Sequence, residues 1–190
     1  MTLASGPDHN ANATTAERVE RRWAALSVGL VALMICIAAF SGLHYEVMPQ
    51  ARVETVDPTT LSLSGEFIES NLGSVFEPNG SVTVRAVGQQ FSFTPECIVV
   101  PADTLITLRA TSADVVHGLL VEGTNVNTML VPGYVSVIQT RFDKPGEHAM
   151  PCQEFCGVGH QGMWGKVKVV DKGAFLDLAR TRKRVTCVNQ

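Results

Sequence analysis

The chain has 190 residues, a formal net charge of −3 at pH 7 and 45% hydrophobic residues. That length suggests one domain with appendages, and an acidic balance with no basic stripe argues against a nucleic-acid partner. The hydrophobic share is high enough to look for a membrane segment.

Residues 1–22 read as a cytoplasmic N-terminal segment. The first sixteen are rich in Ala, Asn, Thr and Ser without apolar period, and are expected to be loosely held. Residues 23–43 read as a transmembrane helix, since residues 24–40 carry no charge. About 20 apolar residues at about 1.5 Å rise cross a hydrocarbon core of about 30 Å. A cleaved signal peptide competes, but the run exceeds the roughly 7–15 residues of a signal core and no clean Ala-x-Ala site follows. Arg18, Arg21 and Arg22 precede the span, which predicts an N-terminus in the cytoplasm and the remainder outside. Trp23 and Tyr45 bracket the span as interfacial aromatics do.

Residues 44–80 read as a connector. Asp57-Pro58 and Pro78-Asn79-Gly80 are turn signals, and Leu61, Leu63, Phe67, Ile68, Leu72 and Val75 suggest a short packed helix or irregular segment. From residue 81 to 171 the texture changes to β-branched runs: 81–87, 97–100, 104–111, 115–121, 134–142 and 166–170. Pro101-Ala102-Asp103, Pro132-Gly133 and Pro145-Gly146 separate several of them. Short strands at regular intervals predict an all-β sandwich or barrel. In the tail, residues 172–190, Phe175, Leu176, Leu178 and Ala179 could line one face of a short helix. Thr181-Arg182-Lys183-Arg184 is a small basic cluster that reads as a solvated chain end, a lipid-headgroup contact or a subunit contact.

The chemistry concentrates in residues 152–163. Cys152, Cys156, His160 and Met163 fall in one loop with Glu154 between the two thiols, and His117 sits in an upstream strand. Soft sulfur ligands with imidazole select copper over hard cations. One Cys, His and Met would describe a mononuclear site; a second thiolate can bridge two copper ions. Zinc could use two Cys and two His, but the spacing is not that of a zinc finger and Met163 would be left over. A Cys152–Cys156 disulfide would leave the His and Met unused.

The spacing C-x-E-x-C-x3-H-x2-M resembles the CuA motif of subunit II of haem–copper cytochrome c oxidases, and the resemblance covers roughly residues 17–171. Residues 56–60, 112–118 and 121–127 look closest to the B-family branch, the b/a-haem oxidases, whose subunit II typically has one transmembrane helix. The resemblance implies a cupredoxin-like β-sandwich or Greek-key barrel on a single N-terminal transmembrane helix, in the cytoplasmic membrane with the copper domain on the periplasmic or outer face. It further implies that Cys152 and Cys156 bridge two coppers, that His117 and His160 each bind one, that Met163 supplies a weak thioether and Glu154 its backbone carbonyl. The Glu154 side chain is a candidate Mg²⁺ ligand at a subunit boundary, or simply solvated.

By the same resemblance, a soluble or membrane-bound cytochrome c or a small electron-transfer protein gives electrons one at a time to this subunit. Haem in the catalytic subunit I takes them on for oxygen reduction coupled to proton pumping. Glu20, at the cytoplasmic end of the anchor, is a candidate for proton entry, or a helix-start charge. Phe91, Phe93 and Trp164 are candidate donor-docking residues, with core packing the competing role for at least one phenylalanine. Two other readings remain: a membrane-anchored copper carrier for an oxidase, which needs open ligands, and a nitrous oxide reductase domain, which needs a large catalytic domain. His148 is expected to be a surface or strand residue, and the pairing of Cys97 with Cys187 is open.

Overall fold

The computed structural model describes residues 9–44 and 53–187. The chain forms two compact units, Met1–Glu46 and Val47–Gln190.

The first unit is one helix, α1 (His9–His44). Its stretch Thr15–His44 is apolar enough to cross a membrane, with a mean hydropathy of 2.4 over its most apolar 18 residues. The large apolar side chains from Trp23 to Leu43 are exposed on every face of the helix. A helix that is apolar all round needs an apolar surrounding, and lipid supplies it. The helix starts earlier than expected, inside the segment read as loose. Ala11, Ala13 and Ala16 are the strongest helix formers, and a helix already nucleated by the apolar run extends at little cost. Tyr45 lies outside the described residues.

The second unit is a β-sandwich. Its strands are β1 (Glu54–Thr55), β2 (Gly73–Phe76), β3 (Val82–Gln89), β4 (Ser92–Thr94), β5 (Cys97–Pro101) and β6 (Ile106–Ser112). Then follow β7 (His117–Leu120), β8 (Asn127–Leu130), β9 (Tyr134–Thr140), β10 (Gly146–Pro151), β11 (Trp164–Val170) and the helix α2 (Lys172–Thr181). One sheet runs β1-β9-β6-β3-β2, with β4 also on β3; a second runs β10-β11-β5; β7 and β8 form a separate hairpin. Alternate residues of β3 and β6 (Val82, Val84, Ala86; Ile106, Leu108, Ala110) meet Ile98, Val100, Val167 and Val169 from the second sheet in one core. This is the expected cupredoxin-like architecture.

The connector is more than a connector. β1 pairs with β9 and β2 with β3, while Leu61, Phe67 and Leu72 pack on Val87 and Val135, on the outer face of the larger sheet. Between them the chain makes 3₁₀ turns at Pro58–Thr60 and Glu69–Asn71, the first capped by the Asp57 side chain. Leu63 is exposed. An ion cluster ties this layer down. Arg85 and Arg109 are register neighbours on parallel strands, so their like charges would repel. Glu66 Oε1 accepts from Arg85 Nε at 2.9 Å and from Arg109 Nε at 2.5 Å, and Glu54 Oε2 accepts from Arg109 Nη2 at 2.6 Å.

The tail is not a free chain end. Phe175 of α2 is fully buried in the main core. Val185 bridges Ser74 and Thr186 bridges Ile98. Gly73 has φ +103°, and a Cβ there would lie 2.7 Å from the Thr186 methyl, so only glycine lets the tail lie this close. A Cys97–Cys187 disulfide completes the seam. One residue of the basic cluster is thereby placed: Arg184 donates to the Asn71 side chain.

Candidate metal centre

Residues 152–163 join β10 to β11, and the register of that pair brings the loop ends together. Pro151 faces Trp164, and the Cys152 N–H donates to the Met163 carbonyl at 3.1 Å. The return is tight: His160, Gly162 and Met163 donate to Gly157, Gly159 and His160 in a 3₁₀ turn at His160–Gly162. Gly157 has φ +132°, and a Cβ on Gly159 would meet the Phe91 ring at 2.5 Å. The turn between β3 and β4 therefore lies directly against this loop. Gln90 Nε2 donates to the Cys156 carbonyl at 2.6 Å.

The sulfurs sit at the centre. Cys152 Sγ and Cys156 Sγ are 3.9 Å apart, free thiols rather than a disulfide. Each has its own imidazole: His117 Nδ1 is 3.9 Å from Cys152 Sγ, and His160 Nδ1 is 3.7 Å from Cys156 Sγ. Each also has one weaker donor. The Glu154 carbonyl lies 3.2 Å from Cys152 Sγ, and Met163 Sδ lies 3.8 Å from Cys156 Sγ. His117, Cys152, Cys156 and Met163 are buried, and His160 is half-buried. Ligand atoms of His117, Cys152 and Cys156 lie within 4.8 Å of one another, close enough to hold a metal. Burial, and after it the neighbouring Cys152 sulfur, pushes the Cys156 thiol up to about 11.

The His117 ring is aimed by a partner. Its Nε2 faces Asp114 Oδ1 at 2.8 Å, leaving Nδ1 toward the sulfurs. Burial alone would raise the Asp114 carboxyl. The Gln90 N–H, the His117 ring and the Val115 N–H outweigh it and hold Asp114 below the usual carboxylate range. An ionised carboxylate here fixes the imidazole tautomer that offers Nδ1 as a ligand atom. The donor set is soft and compact, with a polar partner behind one imidazole, and so fits copper.

Residues 81–170 match the family model "Cytochrome C oxidase subunit II, periplasmic domain". A cytochrome c oxidase subunit 2 of Thermus thermophilus is 35% identical over 152 residues, covering 79% of this chain and 90% of that protein. The chain belongs to the cytochrome c oxidase subunit II family. A second Thermus thermophilus cytochrome c oxidase subunit 2 is 38% identical over 123 residues, 65% of this chain and 91% of the relative. Among solved structures, a chain of a heme-copper terminal oxidase dimer shares 28% identity at a TM-score of 0.57, covering 82% of this chain and 99% of that one.

As a subunit II, the protein is part of an oxidoreductase complex, anchored in a membrane, in the electron-entry position. The family implies copper, and the Cys/His cluster is compatible with CuA. The copper-carrier reading falls away on the same geometry, because an exchangeable site needs open ligands and His117 and Met163 are buried.

Of the docking candidates, Phe91 and Trp164 are exposed beside the loop, but Phe93 is only 2% exposed. Its alternation on β4 turns it into the core, so Phe93 is a packing residue and not the docking residue expected from the sequence. Phe155, 75% exposed, and Val158, 91% exposed, are apolar residues of the loop that the sequence reading did not single out. Nor did it assign Asp114 or Gln90. The available signal was an acid three residues before His117, the natural spacing for a carboxylate behind a ligand imidazole. His148 Nδ1 donates to the Glu122 carbonyl, 2.8 Å away, and is not a member of the cluster. Glu20 lies on α1 with an exposed side chain, as does Cys36.

Proposed function

We propose that this subunit takes single electrons from a soluble cytochrome c-like donor at a binuclear CuA centre and hands them to haem in the catalytic subunit. The observation carrying the reading is the paired arrangement: two buried sulfurs 3.9 Å apart, each with one imidazole and one weak donor of its own. Cys152, Cys156, His117, His160, Met163 and the Glu154 carbonyl would hold the metal pair. A copper pair held by these residues would supply a one-electron centre of small reorganisation energy. The chain's own contribution is rigidity: the strand ends, the 3₁₀ turn and Asp114 fix the donors before any electron arrives.

Phe91, Phe155, Val158 and Trp164 form the apolar docking surface for the donor, next to the loop that holds the ligands. The arginines before the apolar stretch support an N-terminus in the cytoplasm, with the copper domain on the outer face. One apolar helix among the described residues supports the b/a-haem branch. A Mg²⁺ at the exposed Glu154 carboxylate would be completed by water and by the catalytic subunit. Glu20 is the proton-entry candidate.

The test is copper stoichiometry with electron paramagnetic resonance on the full chain in detergent. Two coppers per chain and hyperfine splitting from one electron shared equally by both are expected. One copper with a four-line pattern would sink the binuclear reading.

A further inference from the structure

The basic tail borders a space unconnected with the copper site. Between α2 and β2 lies a cavity of about 300 Å³. One part of its lining is apolar: Phe76 from β2, with Leu176 and Ala179 from α2. Another part is cationic: Arg180, Arg182 and Lys183. Arg180 pairs with Asp177 at 3.3 Å; among the described residues neither Arg182 nor Lys183 has a carboxylate partner. Cations at a helix C-terminus complement its dipole, which accounts for their sign but not for a cavity.

Ser74 adds an independent observation. It lines the same cavity and is 0% exposed, and its hydroxyl has no hydrogen-bond partner. Its cross-strand neighbours are Val84 and Val185. Both are buried in the core that also takes Phe175 of α2, so its side chain faces the α2 side. A buried hydroxyl left unpaired is costly, so a ligand that pairs it is favoured.

We propose that this cavity binds the phosphate head of an anionic phospholipid. Arg182 and Lys183 pair with the phosphate, the Ser74 hydroxyl donates to one of its oxygens, and Phe76, Leu176 and Ala179 take the first carbons of the lipid. A volume of about 300 Å³ is at the small end for ligand sites and suits a headgroup rather than a whole lipid. A membrane-anchored subunit meets phospholipid at high local concentration.

The experiment titrates the full chain, in non-ionic detergent, with dihexanoyl phosphatidylglycerol followed by phosphorus NMR line width. A parallel arm uses inorganic phosphate alone. Saturable binding of the lipid is expected, weakened about tenfold by Ser74→Ala and by the Arg182→Ala/Lys183→Ala pair. Lys172→Ala, at the start of α2 and away from the cavity, is expected to leave it unchanged. Ser74→Ala removes only an unpaired hydroxyl, so a retained thermal midpoint checks that the variant is folded. Absence of saturation, or equal weakening by Lys172→Ala, overturns the proposal. Inorganic phosphate binding as tightly, with the same sensitivity to the variants, overturns the lipid assignment in favour of a free oxyanion.

Discussion

At the scale of single residues, the site depends on groups that touch no metal. Asp114 orients His117 through a 2.8 Å contact. Asp114→Asn keeps the shape but removes the charge, and is expected to lower copper affinity about 10–100-fold, read by competition with a copper chelator. Cys156 contributes to the pH response. Its thiol is pushed up to about 11, so below that pH the metal-free protein holds a proton that copper must displace. Apparent affinity should therefore fall as pH falls, by about tenfold per unit for this one proton. A titration of copper affinity from about pH 8 to about pH 6 checks the sign. The ligands themselves were legible in the sequence, because residue type and spacing carry the chemistry. Asp114 left only a local signal, an acid three residues before His117, and Gln90 left none, since its role arises only when the β3–β4 turn, distant in sequence, is laid against the copper loop.

At the scale of elements, legibility followed burial. Strands β3, β6 and β11 announce themselves through β-branched residues whose alternate members enter a core, and β5 through the consecutive buried Ile98, Val99 and Val100. β1 and β4 are two and three residues long, and β10, Gly-Glu-His-Ala-Met-Pro, has no β-branched residue. Such strands form because a partner's edge is already in place, and that is a tertiary cause. The short helix of the tail was legible, but its pairing with β2 and β5 was not, for the same reason: it leaves no local pattern. The disulfide that pins it joins residues separated by 90 positions. Losing a cross-link over so long a loop is expected to cost about 2–5 kcal/mol. Urea unfolding of a Cys97→Ser/Cys187→Ser variant should show this, with copper stoichiometry unchanged because neither residue belongs to the ligand loop.

At the scale of the molecule, the outer layer of residues 53–72 is held to the sandwich by apolar packing and by the Glu66 cluster. Burial alone would raise the Glu66 carboxyl, but Arg109 and Arg85 outweigh it and hold its pKa below the ordinary 4.5. A depressed carboxylate contributes stability that is fully present above its unfolded pKa and is lost as pH falls through the folded one. Glu66→Gln should thus cost about 2 kcal/mol at neutral pH, and the gap to the parent should close as unfolding is measured below about pH 4. The Cys97–Cys187 seam has a further consequence. The copper loop lies within the ring that this cross-link closes, and Phe155 and Val158 stand out from it as targets for a protease. A cut there would open the chain without parting it. Electrophoresis should show one full-length band until a reductant is added, and then two fragments, so a preparation nicked at its electron-entry loop would pass as intact by size alone.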